Sequence, residues 1–216
     1  MTTYDLAAYA PGSGDPSEEL LGGPLDPAVV ASLALADLRP LTHPQRVLVG
    51  LALARAALGA ADLPEPRWVV HHVPGSYSGL YTRGRVQVWL PCCAPLKPPP
   101  WSFPGWKADK TPVGVTCHEA GHHVDDLLGR PRLVGWAAEP RLSGYEPSRG
   151  ERFAEAFKLW ATNPNLLYEG RPRRWALLYE LLGEPAWDAP WREVLTARGC
   201  SPKLLGYAER WTVQKP

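Results

Sequence analysis

The sequence lacks any concentration of positive charge. It carries 23 Lys and Arg against 22 Asp and Glu, for a formal net charge of +1, and contains no basic block. Proteins that bind nucleic acids usually present a basic surface that neutralises phosphates. We therefore expect no nucleic-acid partner. The lack of a polybasic or basic amphipathic stretch likewise predicts no membrane partner.

Targeting signals are also missing. The first residues, MTTYDLAAYAPGSG, contain neither a basic region nor an apolar core. Nowhere does the chain approach the roughly eighteen consecutive apolar residues of a membrane-spanning helix. These features predict a cytoplasmic protein, or one exported by a route that requires no N-terminal signal.

Cysteine is scarce. The 4 Cys are Cys92, Cys93, Cys117 and Cys200, and none forms a CxxC pair. Adjacent cysteines rarely bridge each other, so the pattern indicates neither a disulfide framework nor a thiolate zinc site. A reducing compartment fits this usage, and Cys117 is expected to be a small buried residue.

Proline, glycine and tryptophan are plentiful, at 25, 20 and 10 residues. The first two predict many turns, and the third predicts large apolar surfaces. Residues 1–25 form a predicted flexible arm. Helices are predicted over 26–37 and 44–60, where Val47, Leu51, Ala54 and Leu58 would form one buried stripe.

A short sheet is predicted next. Residues 67–73 are rich in β-formers, and 79–90 resemble a hairpin that turns near 83–85. Residues 91–112 form a proline-rich loop. Its Trp101 and Trp106, together with Trp89, either line a cleft or pack beneath the loop. Further helices are predicted over 112–128, 150–162, and near 171–182, 189–198 and 202–209. The order predicts an α+β fold with a single domain over 26–216, divided into 26–110 (helices and sheet) and 111–216 (active-site and C-terminal helices).

The segment HEAGH, residues 118–122, carries the chemistry. Residues four apart lie on the same face of a helix, so His118 and His122 can direct both imidazoles at one metal ion. Glu119 would lie beside them as a proton acceptor. This pattern is typical of a site with one catalytic Zn²⁺ ion, two His ligands and a Glu general base.

A catalytic zinc site requires a third protein ligand. The residues after His122 contain no third His at metzincin spacing, whereas the following helix offers Glu151 and Glu155. Spacing alone allows either carboxylate to bind zinc and leaves the other as an outer partner. Asp125 or Asp126 would accept a hydrogen bond from a ligand histidine. Outside this set, His71, His72 and His123 are expected to be structural.

The paired segments HEAGHHVDDLLG and GERFAEAFKLW resemble the gluzincin metallopeptidases of the anthrax lethal factor type, which include the Pro-Pro endopeptidases. The resemblance covers approximately residues 114–160. It implies a zincin-like fold, Glu151 as the third zinc ligand and Glu155 as the second, non-ligating Glu. It also implies that Tyr145 stabilises the developing oxyanion, although Tyr145 precedes Glu151 by one residue fewer than expected.

The leading hypothesis is therefore a zinc metallopeptidase that acts on a peptide or protein substrate. The predicted edge strand at 86–90, with Val86, Val88 and Trp89, would pair with the substrate backbone. Two alternatives stay open: a zinc-binding interaction module with little turnover, and a structural protein in which HEAGH is coincidental. The sequence reveals neither the substrate nor the oligomeric state.

Overall fold

The computed structural model describes residues 27–93 and 108–212. Within these ranges the chain forms eight α-helices and a three-stranded mixed sheet, which confirms the α+β class. The helices are α1 Pro27–Ala34, α2 His43–Ala60, α3 Pro112–Leu127, α4 Arg149–Thr162, α5 Pro164–Gly170, α6 Pro172–Leu182, α7 Trp191–Ala197 and α8 Pro202–Thr212, and the strands are β1 Arg67–His71, β2 Gly79–Thr82 and β3 Arg85–Trp89. The predicted arm at 1–25, Trp101 and Trp106 lie outside the described residues.

Helix α2 is the central element of the core. It begins with a capping box, in which the Thr42 hydroxyl and the Gln45 side chain satisfy each other's backbone N–H groups. The predicted stripe is buried, but so is nearly every residue from 46 to 54, so α2 is enclosed rather than amphipathic. It packs against α1, α3 and α4.

Helix α1 ends at Ala34, three residues before the predicted boundary. The Asp37 carboxylate accepts hydrogen bonds from the backbone N–H and the guanidinium of Arg39. Such local bonds offer the backbone an alternative to continuing the helix.

The sheet has the strand order β1-β3-β2, with β1 parallel and β2 antiparallel to β3. Its hairpin turns at Arg83 and Gly84, whose φ angles of 47° and 77° are those of a type I′ turn. The predicted hairpin is thus confirmed, with its turn at the expected position. Strand β1 ends at His71, two residues earlier than predicted.

The strand order corrects the predicted substrate strand. Because β3 pairs with β1 on one side and β2 on the other, its backbone has no free edge. Val86 and Val88 are buried, and Trp89 stacks on His71 with 4.3 Å between ring centroids. Among the described strands, β2 is the edge strand nearest the HEAGH helix, since both β2 and β3 pack on α3 while β1 lies on the far side of β3.

Helices α3 and α4 form the closest helix pair of the fold. Thr111 caps α3 through the N–H of Gly114, and Ser148 caps α4 through the N–H of Glu151. A Cβ atom at Gly121 would lie 2.7 Å from the Cα of Ala154, which shows how closely the two backbones approach. This approach brings the HEAGH segment against the first turns of α4.

Of the C-terminal helices, α5 and α6 pack against α4, and α7 and α8 pack against α5. Buried Arg198 joins distant parts of the chain by donating to the carbonyl oxygens of Ala34 and Thr162. Helix α5 was not separately predicted. Within the described ranges, no helix combines the length and apolar character needed to cross a bilayer.

Candidate metal centre

Three side chains converge where α3 meets α4. Glu151 Oε2 lies 2.9 Å from His118 Nε2 and 3.4 Å from His122 Nε2, and one ligand atom of each residue lies within 4.8 Å of the others. Tetrahedral ligands placed about 2.0–2.1 Å from zinc lie about 3.3 Å apart. The two imidazoles and the carboxylate therefore have the donor types and the approximate spacing of a metal site.

The second glutamate of α4 has a different place. Glu155 Oε1 accepts a hydrogen bond of 2.8 Å from Nδ1 of His118, on the side of the ring opposite Glu151. This hydrogen bond leaves Nε2 of His118 as the nitrogen that faces His122 and Glu151. In the structure, Glu151 lies with the Nε2 atoms of the two histidines, and Glu155 lies on the opposite side of the His118 ring.

The residues of the cluster strongly shift one another's pKa values. Burial disfavours the charged form of His118, but its hydrogen bonds to Glu151 and Glu155 outweigh this effect and raise its pKa to about 9. Burial likewise opposes ionisation of Glu151, but the two histidines lower its pKa to about 2. In Glu155, burial is outweighed by Lys158 and His118, so its pKa lies below the ordinary value. Both carboxylates are therefore anionic near neutral pH.

Glu119 lies between α3 and the edge strand. It is 9% exposed, and its carboxylate accepts a hydrogen bond from the backbone N–H of Tyr81. Burial raises its pKa above the usual value, although the nearby histidines oppose this shift. Gly79 lies directly over it, because a Cβ at that position would be 2.7 Å from Glu119 Oε1. A buried carboxylate with a raised pKa suits a group that accepts and returns a proton.

Tyr145 reaches the same site from the connector between α3 and α4. Its ring lies 5.8 Å from that of His118, centroid to centroid, and the side chain is 47% exposed. Burial, together with the negative charges of Glu151, Glu119 and Glu155, raises its pKa. The phenol therefore stays protonated at neutral pH and is available as a hydrogen-bond donor.

A pocket of about 220 Å³ opens beside these groups, lined by Gly79, Glu119, His118, Tyr145 and Glu155 among others. The side of the pocket that Tyr145 forms belongs to the connector between α3 and α4, and the next residue, Glu146, anchors this connector. Glu146 is fully buried, accepts hydrogen bonds from the backbone N–H groups of Leu142 and Ser143, and pairs with Arg174 on α6. No motif in the sequence indicated this anchor.

The two aspartates after HEAGH have other partners. Asp125 pairs with Arg149 at the start of α4, whereas Asp126 accepts a hydrogen bond from the Tyr81 hydroxyl and pairs with Arg130. Within the described part of the chain, no hydrogen bond joins either aspartate to a ligand histidine, and their role as outer partners stays a prediction. Arg149 donates hydrogen bonds to Asp125 and to the Pro131 carbonyl, and it ties the end of α3 to the turn that carries Glu151.

The other candidate histidines and the buried cysteine stand apart from the cluster. His123 Nε2 bonds the carbonyl of Pro64, and His71 bonds Gln87 while stacking on Trp89. Cys117 is fully buried and donates to the carbonyl of Gly50, and burial raises its pKa to about 12. These placements agree with the structural roles expected for His71, His123 and Cys117.

Comparison of the chain with protein-family models, with curated proteins and with solved structures gives no match.

Proposed function

We propose that the protein is a zinc-dependent metallopeptidase of the gluzincin type, with a zincin-like fold. The observation that carries this proposal is the convergence of His118, His122 and Glu151. Of these three, His118 also lines a pocket, together with Glu119 and Tyr145. Two histidines and a carboxylate are a common ligand set of catalytic zinc sites and leave a coordination position open.

The residues would divide the chemistry between them. A zinc ion held by His118, His122 and Glu151 supplies Lewis acidity, which activates water and polarises a carbonyl group. The Glu119 carboxylate accepts a proton from the attacking water and later delivers it to the leaving amine. The Tyr145 hydroxyl donates a hydrogen bond to the carbonyl oxygen as negative charge develops on it.

The edge strand supports a peptide as the substrate. Trp89 N–H on β3 bonds the Ser78 carbonyl, and Leu80 lies opposite Gln87, so the alternation of an antiparallel pair turns the backbone groups of Gly79 outward. Gly79 borders the pocket above Glu119. An extended peptide that pairs with β2 would place a backbone carbonyl over the pocket. Strand β2 thus replaces β3 as the proposed substrate strand.

The test is metal-dependent hydrolysis of a peptide library. Protein freed of metal by a chelator, and the same protein reloaded with one equivalent of zinc, are each incubated with the library, and new termini are identified by mass spectrometry. We expect cleavage only after reloading. Stoichiometric zinc without any cleavage would favour an interaction module, and absence of zinc binding would favour a structural protein.

A further inference from the structure

A buried lysine stands behind the candidate metal centre. Lys158 on α4 is 3% exposed, and its ammonium donates hydrogen bonds of 2.8 Å to both oxygens of Glu155. The same carboxylate accepts the hydrogen bond from His118 Nδ1. The three groups therefore form a continuous chain that runs from the interior of the protein to the ligand face of His118.

Burial of a lysine at this position costs free energy. Transfer of an ammonium group out of water is strongly unfavourable unless a partner compensates for it, and buried ion pairs are often no more stabilising than apolar residues of similar volume. Every residue of α4 from Phe153 to Thr162 is buried, so the helix is enclosed around this position and the ammonium is removed from water. Stability alone therefore gives a poor account of Lys158.

The hydrogen bonds of Lys158 give a better explanation of its presence. Two hydrogen bonds from one ammonium fix both the position and the plane of the Glu155 carboxylate. The fixed Oε1 atom then holds the proton on Nδ1 of His118 and sets the rotation of the ring, so Nε2 points towards His122 and Glu151. Outer partners of this kind orient metal-binding histidines, and their loss commonly weakens metal binding about 10–100-fold.

We propose that Lys158 is a positioning residue of the metal centre, which acts on His118 through Glu155. This inference rests on the proposed zinc site. It adds a residue that does not touch the metal, the substrate or any ligand atom. Without Lys158, the Glu155 carboxylate keeps its contact with His118 but loses the two bonds that orient it.

The experiment is a double-mutant cycle on zinc affinity. Wild type, Lys158→Met, Glu155→Gln and the double variant are prepared free of metal, and the zinc dissociation constant of each is measured by competition with a chromophoric chelator. We expect Lys158→Met to weaken zinc binding about 10–100-fold. In the Glu155→Gln background, the same change should have almost no further effect, because the carboxylate through which Lys158 acts is gone.

Arg174→Met is the matched control. It also removes a buried cation from a buried carboxylate, Glu146; this pair holds the connector beside Tyr145 and is not bonded to His118, His122 or Glu151, so it serves as a control for zinc affinity and not for turnover. It should lower the thermal stability without changing the zinc dissociation constant more than about twofold, within the accuracy to which independent sites behave additively. The absorption spectrum of the cobalt-loaded protein should change in Lys158→Met and remain that of wild type in Arg174→Met.

Two results would overturn the inference. One is a zinc affinity of Lys158→Met within twofold of wild type. The other is that Lys158→Met lowers zinc affinity equally in the wild-type and Glu155→Gln backgrounds. If Lys158→Met fails to fold, Lys158→Gln is measured instead. Its shorter, neutral amide cannot donate to both oxygens of Glu155 as the ammonium does, so zinc binding should weaken in the same direction but by less than in Lys158→Met. Failure of the wild-type protein to bind zinc is a separate outcome, which rejects the proposed function itself.

Discussion

Tyr145 differs from other exposed tyrosines in its surroundings. Tyr145 combines substantial exposure with a ring that lies close to His118, whereas exposed Tyr179 bonds Glu184 on the outer surface. Because its pKa is raised by burial and by three nearby carboxylates, Tyr145 remains a donor throughout the neutral range. Under the proposed function, this hydroxyl is the donor to the developing oxyanion.

Tyr145→Phe is therefore expected to lower kcat about 100-fold while KM and zinc content change little, since one oxyanion donor typically contributes 10²–10³ in rate. Tyr179→Phe is the matched control and should have wild-type kinetics. The measurement is steady-state hydrolysis of a peptide found in the library screen. Unchanged kcat in Tyr145→Phe would remove this residue from the mechanism.

The proposed zinc site would bind its ion in a pH-dependent way because of His118. Its pKa is raised from 6.5 to about 9, so its contribution to the stability of the metal-free protein is complete below pH 6.5 and is lost as the pH rises through 9. Glu151, with its pKa lowered from 4.5 to about 2, contributes above pH 4.5 and loses this contribution only as the pH falls towards 2. Of these two groups, only His118 changes its charge between pH 6.5 and 9.

Zinc must displace the proton of His118, so zinc affinity should rise as the pH increases from 6.5 to 9, by about tenfold per pH unit for one released proton. Competition titrations across this range, corrected for the titration of the chelator, measure the slope. In parallel, the zinc-induced increase in Tm should be larger at pH 8.5 than at pH 6.5. A flat profile would show that His118 is already neutral in the metal-free protein.

At the scale of elements, the site depends on how closely α3 and α4 approach. Gly121 occupies their contact, and a Cβ there would lie 2.7 Å from the Cα and 3.0 Å from the carbonyl oxygen of Ala154. Backbone atoms cannot yield as the end of a flexible side chain can. The two helices would have to separate, and Glu151 would move away from the histidines with α4.

Gly121→Ala should therefore destabilise the protein by about 1–3 kcal/mol, despite the higher helix propensity of alanine, and weaken zinc binding. Gly206→Ala in α8 is the control, because no atom lies within 4 Å of the added Cβ. That variant should be stabilised by about 0.5–1 kcal/mol. Chemical denaturation and chelator competition measure the two effects. Equal stability of both variants would contradict the close approach.

The elements themselves were predictable wherever their signals are local. Thr111 with Pro112 at the start of α3 and the Arg83-Gly84 turn are each set by a few neighbouring residues. The order of the strands is different, because the parallel pairing of β1 with β3 joins segments whose register no local signal encodes. For this reason β3 was expected at the edge and is found in the centre of the sheet.

For the whole molecule, the grouping of His118, His122 and Glu151 was predictable, whereas the buried lysine that pairs with Glu155 was not. The spacing of His118 and His122 on one helix requires only helical geometry, and the resemblance pointed to Glu151. Lys158 and Glu155, in contrast, have the i, i+3 spacing of an ordinary surface pair. Only the packing of α4 against α3 buries them behind the site. The single-domain boundary at 26–216 stays a prediction.

The most direct test of the central claim compares zinc-loaded wild type with Glu119→Gln. This change removes the proposed proton acceptor and keeps the shape of the side chain, and none of the three proposed ligands is altered. We predict one zinc per chain in both proteins and at least a 100-fold loss of peptide hydrolysis in the variant, the lower range for a general base. Equal hydrolysis by the two proteins, or no hydrolysis by zinc-loaded wild type, would contradict the account.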